Sequence, residues 1–149
     1  MIKLSELIQF GTPSIEQLDK LVELHFKPLN KVRESINVPL FIRSCYRSYD
    51  HEILNGRGGT SQHCFHDKGA TDISTTKSAQ QIPDPSKMAE LAGLLVKNGY
   101  TRIAYYPTLN FFHVDYKCTA SNFIVFQFKF AAFNQHETIV CTTNFLSSP

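Results

Sequence analysis

The chain has 149 residues, of which 42% are hydrophobic, and a net charge of +2. This size and composition fit one folded domain over residues 1–149, and the absence of a long Lys/Arg run excludes the charge pattern of a nucleic-acid-binding protein. The apolar runs are far shorter than the ~20 residues needed to cross a bilayer, so we expect no membrane insertion.

The first predicted element is a helix that begins after Ser14. Ser14 is a typical N-cap residue, and Gln17 stands three positions later as its capping-box partner. Apolar residues then follow at helical spacing as far as Ile36. Pro28 lies inside this pattern, so we expect the helix to kink or restart there.

A long loop is predicted over residues 45–69, after a short strand over residues 39–44. The loop holds four of the seven glycines and three of the six histidines: Gly56, Gly58, Gly59, Gly69, His51, His63 and His66. A long loop that carries so many polar side chains is more often functional than an ordinary connection.

The second half of the chain is predicted to be rich in strands. Ser86 is the expected N-cap of a helix that ends at Asn98-Gly99, after a loop over residues 76–85. Strands are predicted over residues 70–74, 100–106, 111–116, 122–130 and 137–142, the last two as a closing hairpin. This order of elements predicts an α+β fold with an antiparallel sheet.

The cysteines and the start of the chain bear on its location. No Cys-x-x-Cys pair is present, so the structural zinc pattern is absent, and reduced thiols are expected at Cys45, Cys64, Cys118 and Cys141. The first residues lack the apolar stretch of a signal peptide and include Glu6. We therefore expect synthesis in the cytoplasm without a signal peptide.

Strand alternation predicts that two polar residues share one face of the sheet. Asp72 would share a face with Ala70, and His113 would share a face with Asp115. If the two strands are antiparallel neighbours, Asp72 and His113 lie side by side, and His63 on the preceding loop can fold over to join them. Two histidines and an aspartate can hold zinc and leave a fourth position open, which is typical of a catalytic zinc site.

Each of these residues also has an ordinary interpretation when it is taken alone. A histidine in a Gly-rich loop is usually solvated, and an aspartate near a strand end is usually a turn or cap residue. Their combination favours the metal site.

A set of short motifs carries a resemblance to a known family. The motifs are Ser44-Cys45-Tyr46-Arg47-Ser48, Asn55, Gly58-Gly59, Ser61-Gln62-His63, Ala70-Thr71-Asp72-Ile73 and Phe112-His113-Val114-Asp115. Over about residues 14–117 the chain resembles the zinc D-Ala-D-Ala carboxypeptidase family, which includes D-Ala-D-Ala dipeptidases, phage L-alanyl-D-glutamate endolysins and the hedgehog signalling domain. The resemblance implies a hedgehog/DD-peptidase-like fold, with helices packed on one side of a central antiparallel sheet.

The resemblance also implies the roles of individual residues. It implies that His63, Asp72 and His113 bind Zn²⁺ and that Arg47 lies near the substrate, where it acts in catalysis or holds a carboxylate. We add Ser61, Tyr106 and His66 as expected substrate-binding residues.

The chain departs from the family pattern at several positions. His63 and Asp72 are nine positions apart instead of seven, which makes His66 a rival ligand, and Cys45 replaces the usual glycine of the Tyr-Arg turn. Asn110 stands where many members carry a Glu or Asp as the catalytic base, and an amide cannot take a proton from a water. Asp115 is the remaining candidate for the base; its alternative role is to orient a ligand histidine.

These observations predict a zinc-dependent peptidase that cleaves peptidoglycan stem peptides at a D-Ala-D-Ala or L-Ala-D-Glu bond. We expect a monomeric phage or prophage lysin that acts on the cell wall after release or as part of a virion. The alternative is a catalytically inactive, zinc-containing, hedgehog-like binding module, which Asn110 favours. A third interpretation is a structural domain without a metal.

Overall fold

The computed structural model describes residues 1–106 and 108–117, together with the backbone of residues 138–141. The helices are α1 (Leu4–Leu7), α2 (Ile15–Leu21), α3 (Lys27–Ser35), α4 (Tyr49–Leu54) and α5 (Pro85–Lys97). The strands are β1 (Ile8–Phe10), β2 (Phe41–Ser44), β3 (Tyr46–Arg47), β4 (Ala70–Ser74), β5 (Arg102–Tyr106), β6 (Phe111–Asp115) and β7 (Thr138–Cys141). A π-helical segment, Val22–Phe26, joins α2 to α3, and a 3-10 turn, Gln62–Cys64, precedes β4.

Five strands form the central sheet, in the order β2-β4-β6-β5-β7, and every neighbouring pair is antiparallel. A separate pair, β1 and β3, is parallel. The α+β class and the antiparallel sheet confirm the prediction, and β2, β4, β5, β6 and β7 fall within predicted strands. The strand predicted over residues 122–130 lies outside the described residues.

One face of the central sheet packs against helices α2, α3 and α5. The buried cluster draws its strand residues from alternate positions, namely Ile42, Ile73, Ile103, Tyr105, Phe112 and Val114. Its helix residues include Leu21, Leu29, Val32, Met88, Leu91 and Leu95. Because side chains alternate along a strand, the residues between these positions project from the opposite face.

The first long helix begins as predicted. Ser14 Oγ accepts the N–H of Gln17 at 3.2 Å, and Gln17 Oε1 accepts the N–H of Ser14 at 2.8 Å. The expected restart at Pro28 is confirmed: a new α-helix, α3, begins at Lys27 with Pro28 in its first turn. It follows the π segment, where Lys27 donates its N–H to the Val22 carbonyl. The wider π turn accommodates a proline that has no N–H to continue the α-helical pattern.

Two expectations are corrected. Residues 45–69 are not one long loop, because β3, α4 and the 3-10 turn all lie within them. Helix α5 is capped by Asp84 and not by Ser86; Asp84 Oδ1 accepts the Ser86 N–H at 2.9 Å. Pro85, assigned to the loop, fills the first helical position, where its missing N–H has no cost.

Among the described residues, no helix has both the length and the apolar character to span a bilayer.

Candidate metal centre

Two central strands place Asp72 and His113 side by side. β4 and β6 pair so that Asp72 lies opposite His113 and Ala70 lies opposite Asp115. On its other side His113 lies opposite Ala104 of β5. All of these residues alternate with core residues, so they share the sheet face that is turned away from helices α2, α3 and α5.

The 3-10 turn places His63 over this face. Ser61 Oγ accepts the backbone N–H of His63 at 3.2 Å, and Phe65 ends the turn in the left-handed region with φ of 56°. His63 is buried, and its Nδ1 lies 2.6 Å from the carbonyl oxygen of Cys45. The turn and the five following residues accommodate the nine-position spacing between His63 and Asp72.

The three side chains converge on Asp72 Oδ1. His63 Nε2 lies 3.2 Å from that oxygen, and His113 Nδ1 lies 3.0 Å from it. One atom from each residue can be chosen such that all lie within 4.8 Å of one another. His63, Asp72 and His113 therefore form a largely buried group that can hold a metal ion.

In both histidines, the ring nitrogen that does not face Asp72 has its own hydrogen-bond partner. This partner bears on whether the nitrogen that faces Asp72 carries a proton. A carbonyl oxygen only accepts, so His63 Nδ1 donates to Cys45 and the neutral ring has a lone pair on Nε2. His113 Nε2 faces the Asp115 carboxylate at 3.0 Å, and when the neutral ring donates to that carboxylate, its lone pair is on Nδ1. With both rings neutral in this way, two lone pairs and a carboxylate oxygen point at one another, and a metal ion can bind between them.

The charges of the group agree with this geometry. Burial raises the pKa of Asp72, but the neighbouring rings of His113 and His63 outweigh burial and lower the pKa to about 2. Burial lowers the pKa of His113, but hydrogen bonds to Asp115 and Asp72 outweigh it and raise the pKa to about 9. Without a metal, the proton on His113 supplies the positive charge that the two carboxylates require.

Asp115 is fully buried beneath His113 and is held by several donors. Arg102 Nε lies 2.9 Å from Oδ1 and 3.0 Å from Oδ2, Arg102 Nη2 also contacts Oδ2, and the Lys117 N–H donates to Oδ1 at 3.0 Å. Burial raises the pKa of Asp115, but the hydrogen bonds from His113, Arg102 and Lys117 lower it below its ordinary value. Of the two roles considered for Asp115, these contacts favour the orientation of His113 over the catalytic base.

Asn110 has a structural role in the turn before β6. It adopts a left-handed conformation with φ of 55°, which asparagine tolerates better than most residues. Its side-chain amide donates to the carbonyls of Ala79 and Gln81 at 2.8 and 3.2 Å. The Asn110 side chain thus holds two loops together.

The other expected site residues lie at different places around the centre. Arg47 Nε is 3.2 Å from Oε1 of the fully buried Glu52, although neither atom makes a hydrogen bond. Tyr106 lies on the same sheet face as His113, where its ring stacks on Phe111 at 4.9 Å between centroids. Ser61 caps the 3-10 turn. His66 is exposed, with Nε2 3.2 Å from the Gly59 carbonyl, and is not part of the metal-binding group.

Sequence reasoning missed two partners of the centre. The Cys45 carbonyl left no signal, because any residue at that position offers the same backbone oxygen. Cys45 itself and Cys64 are free thiols, as expected. Arg102 did leave a signal, because a register can be counted from the turn. If Tyr106 lies opposite Phe111, the residue four positions before Tyr106 lies opposite the residue four positions after Phe111. These two residues are Arg102 and Asp115.

No family model, no curated protein and no solved structure matches this chain.

Proposed function

We propose that the protein is a zinc-dependent peptidase of the D-Ala-D-Ala carboxypeptidase type that acts on peptidoglycan stem peptides. The observation that carries the proposal is the convergence of His63 Nε2, Asp72 Oδ1 and His113 Nδ1, which are the ligand positions implied by the motif resemblance. Two imidazole nitrogens and one carboxylate oxygen form a donor set that zinc accepts, with a fourth position left for water.

The outer contacts of the ligands suit zinc equally well. Metal-bound histidines usually donate their second ring N–H to a carbonyl or carboxylate, and here Cys45 and Asp115 accept these two bonds. A zinc ion in this centre would supply a Lewis acid and a water of lowered pKa.

The surrounding residues would bind and orient the substrate. In this proposal Arg47, beside Glu52, holds a substrate carboxylate or the developing negative charge, because a guanidinium binds carboxylates with two parallel hydrogen bonds. Tyr106 and Phe111 lie two positions along the strands from Ala104 and His113, which places them about 7 Å away, roughly the length of two residues of an extended peptide. They would therefore contact the substrate about two residues from the cleaved bond.

A second candidate is a zinc-containing binding module without turnover. It is favoured by a specific observation: neither of the two positions considered for the base offers an unengaged carboxylate. Asn110 is an amide that holds two loops, and Asp115 is paired with Arg102 and His113. A module of this kind would bind the peptide and leave it intact.

Digestion of purified peptidoglycan separates the two candidates. The peptidase proposal predicts new stem-peptide fragments by mass spectrometry, lost on chelation, restored by zinc and absent for Asp72→Asn. The masses would also identify the bond that is cut. Stoichiometric zinc without any fragment would contradict the peptidase and support the binding module.

A further inference from the structure

We propose that Arg102 is a positioning residue of the metal centre, which acts through Asp115 to keep His113 Nδ1 directed at the metal position. The inference rests on the metal centre of the proposed function, and it holds for the peptidase and for the binding module alike. Arg102 belongs to none of the motifs that carry the family resemblance.

The first link is the pairing of Arg102 with Asp115. The two residues are direct cross-strand neighbours on β5 and β6, and the guanidinium contacts both carboxylate oxygens through Nε and Nη2. Asp115 is fully buried, whereas the Arg102 side chain is 23% exposed. A two-point contact fixes the plane of the carboxylate, which one point charge would not do.

The second link joins Asp115 to His113, two residues earlier on the same strand. Asp115 Oδ2 lies 3.0 Å from His113 Nε2, on the far side of the ring from Asp72. If the carboxylate plane turned, this bond would weaken, and the ring could rotate away from Asp72. Arg102 therefore orients the Asp115 carboxylate, and this carboxylate orients the His113 ring toward the metal position.

Positioning and charge repulsion predict opposite changes in zinc affinity when Arg102 is replaced, so the direction of the change tests the inference. Arg102 is a cation near a site for a cation, so its removal would strengthen zinc binding if repulsion dominated. Positioning predicts weaker binding, since loss of an outer partner of a metal-bound histidine typically costs about 10–100-fold in metal affinity.

The test is a competition titration of Zn²⁺ against a chromogenic chelator for wild type, Arg102→Gln, Asp115→Asn and the double variant. We expect Arg102→Gln to lose about 10–100-fold in affinity, and Arg102→Lys, which keeps the charge without the two-point contact, to bind with intermediate affinity. In the Asp115→Asn background, Arg102→Gln should add less than about twofold, because its route to His113 is already altered. Arg33→Gln, on α3, removes a hydrogen bond to the Val38 carbonyl and serves as the matched control, with wild-type affinity expected.

A Co²⁺ spectrum supplies a second readout. Weak zinc binding by Arg102→Gln, together with a changed ligand-field band in its cobalt form and an unchanged band for Arg33→Gln, would support positioning. Unchanged or tighter zinc binding by a folded Arg102→Gln would overturn it, as would an equal loss in both Asp115 backgrounds. If Arg102→Gln fails to fold, the comparison of Arg102→Lys with wild type decides in the same way. If the wild-type protein binds no zinc, the proposed metal centre is wrong. If Arg102→Gln binds zinc as tightly as wild type, the metal centre stands and only the role of Arg102 is wrong.

Discussion

At the scale of single residues, the centre depends on the position of His113 between two carboxylates. Asp72 lies at 3.0 Å from one ring nitrogen, and Asp115 lies at 3.0 Å from the other. These neighbours raise the pKa of His113 to about 9 although burial acts against the charged form. A proton and a metal ion therefore compete for Nδ1, and pH decides between them.

Zinc affinity should consequently fall as the pH falls. Below a pKa of about 9, zinc must displace the proton from His113, so the apparent dissociation constant should rise about tenfold per pH unit for that proton. The measurement is a series of chelator competitions from pH 6 to pH 9. An affinity that stays constant from pH 7 to pH 8.5 would contradict the arrangement.

The metal-free protein should show the matching dependence of stability. The raised pKa of His113 stabilises the fold fully below pH 6.5, the ordinary value, and this contribution is lost as the pH rises through about 9. The lowered pKa of Asp72 stabilises the fold above pH 3.8, and its contribution is lost as the pH falls toward 2.

Much of the centre was predictable because strand alternation and a motif acted together. Alternation put Asp72 and His113 on one face, and the Ser61-Gln62-His63 string favoured His63 over His66. The role of Asp115 could not be decided from sequence, because it depends on what else contacts the carboxylate. Arg102, whose contacts bear on this role, can be placed opposite Asp115 once the register between β5 and β6 is counted from the turn that joins them.

At the scale of elements, the helical path from α2 to α3 is adapted to Pro28. The proline cannot offer an N–H to the carbonyl of Leu24, four residues earlier in the helix. The hydroxyl of Tyr116, directly after β6, donates to this carbonyl instead. The Leu24 carbonyl therefore accepts a hydrogen bond from the residue that directly follows the strand of His113.

Tyr116→Phe should destabilise the fold by about 0.5–1.5 kcal/mol, because it removes the hydrogen bond to the Leu24 carbonyl. In a Pro28→Ala background the cost should be smaller, since residue 28 then has an N–H. Urea unfolding of the two single variants and the double variant measures the difference. Equal costs in both backgrounds would show that the hydroxyl does not compensate for the proline.

The elements that sequence reasoning missed lack the usual periodic signal. Helix α4 buries Glu52 and exposes Tyr49, Ile53 and Leu54. Its apolar residues therefore lie on the solvent face, where a hydrophobic pattern would predict the buried face. β3 has only two residues and pairs with a distant strand, which no local pattern reveals. Strands β4, β5 and β6 were predicted because their alternate residues enter one core.

At the scale of the whole molecule, the candidate metal centre joins three separate elements: the 3-10 turn, β4 and β6. β4 and β6 are neighbours in the middle of the sheet, and the 3-10 turn packs over them. On the opposite face His25, from the π segment, lies 2.8 Å from the Thr71 hydroxyl and donates to the Lys68 carbonyl at 2.9 Å. The strand that carries Asp72 is thus held from both sides.

The zinc content of the purified protein tests the central claim most directly. Elemental analysis should find one zinc per chain in wild type and in Asp19→Asn, an exposed aspartate on α2 that serves as the matched control. Asp72→Asn should lose the metal, because Asp72 Oδ1 is the atom on which both histidines converge. His66→Ala should keep it, because His66 faces Gly59. Full zinc occupancy in Asp72→Asn would contradict the account.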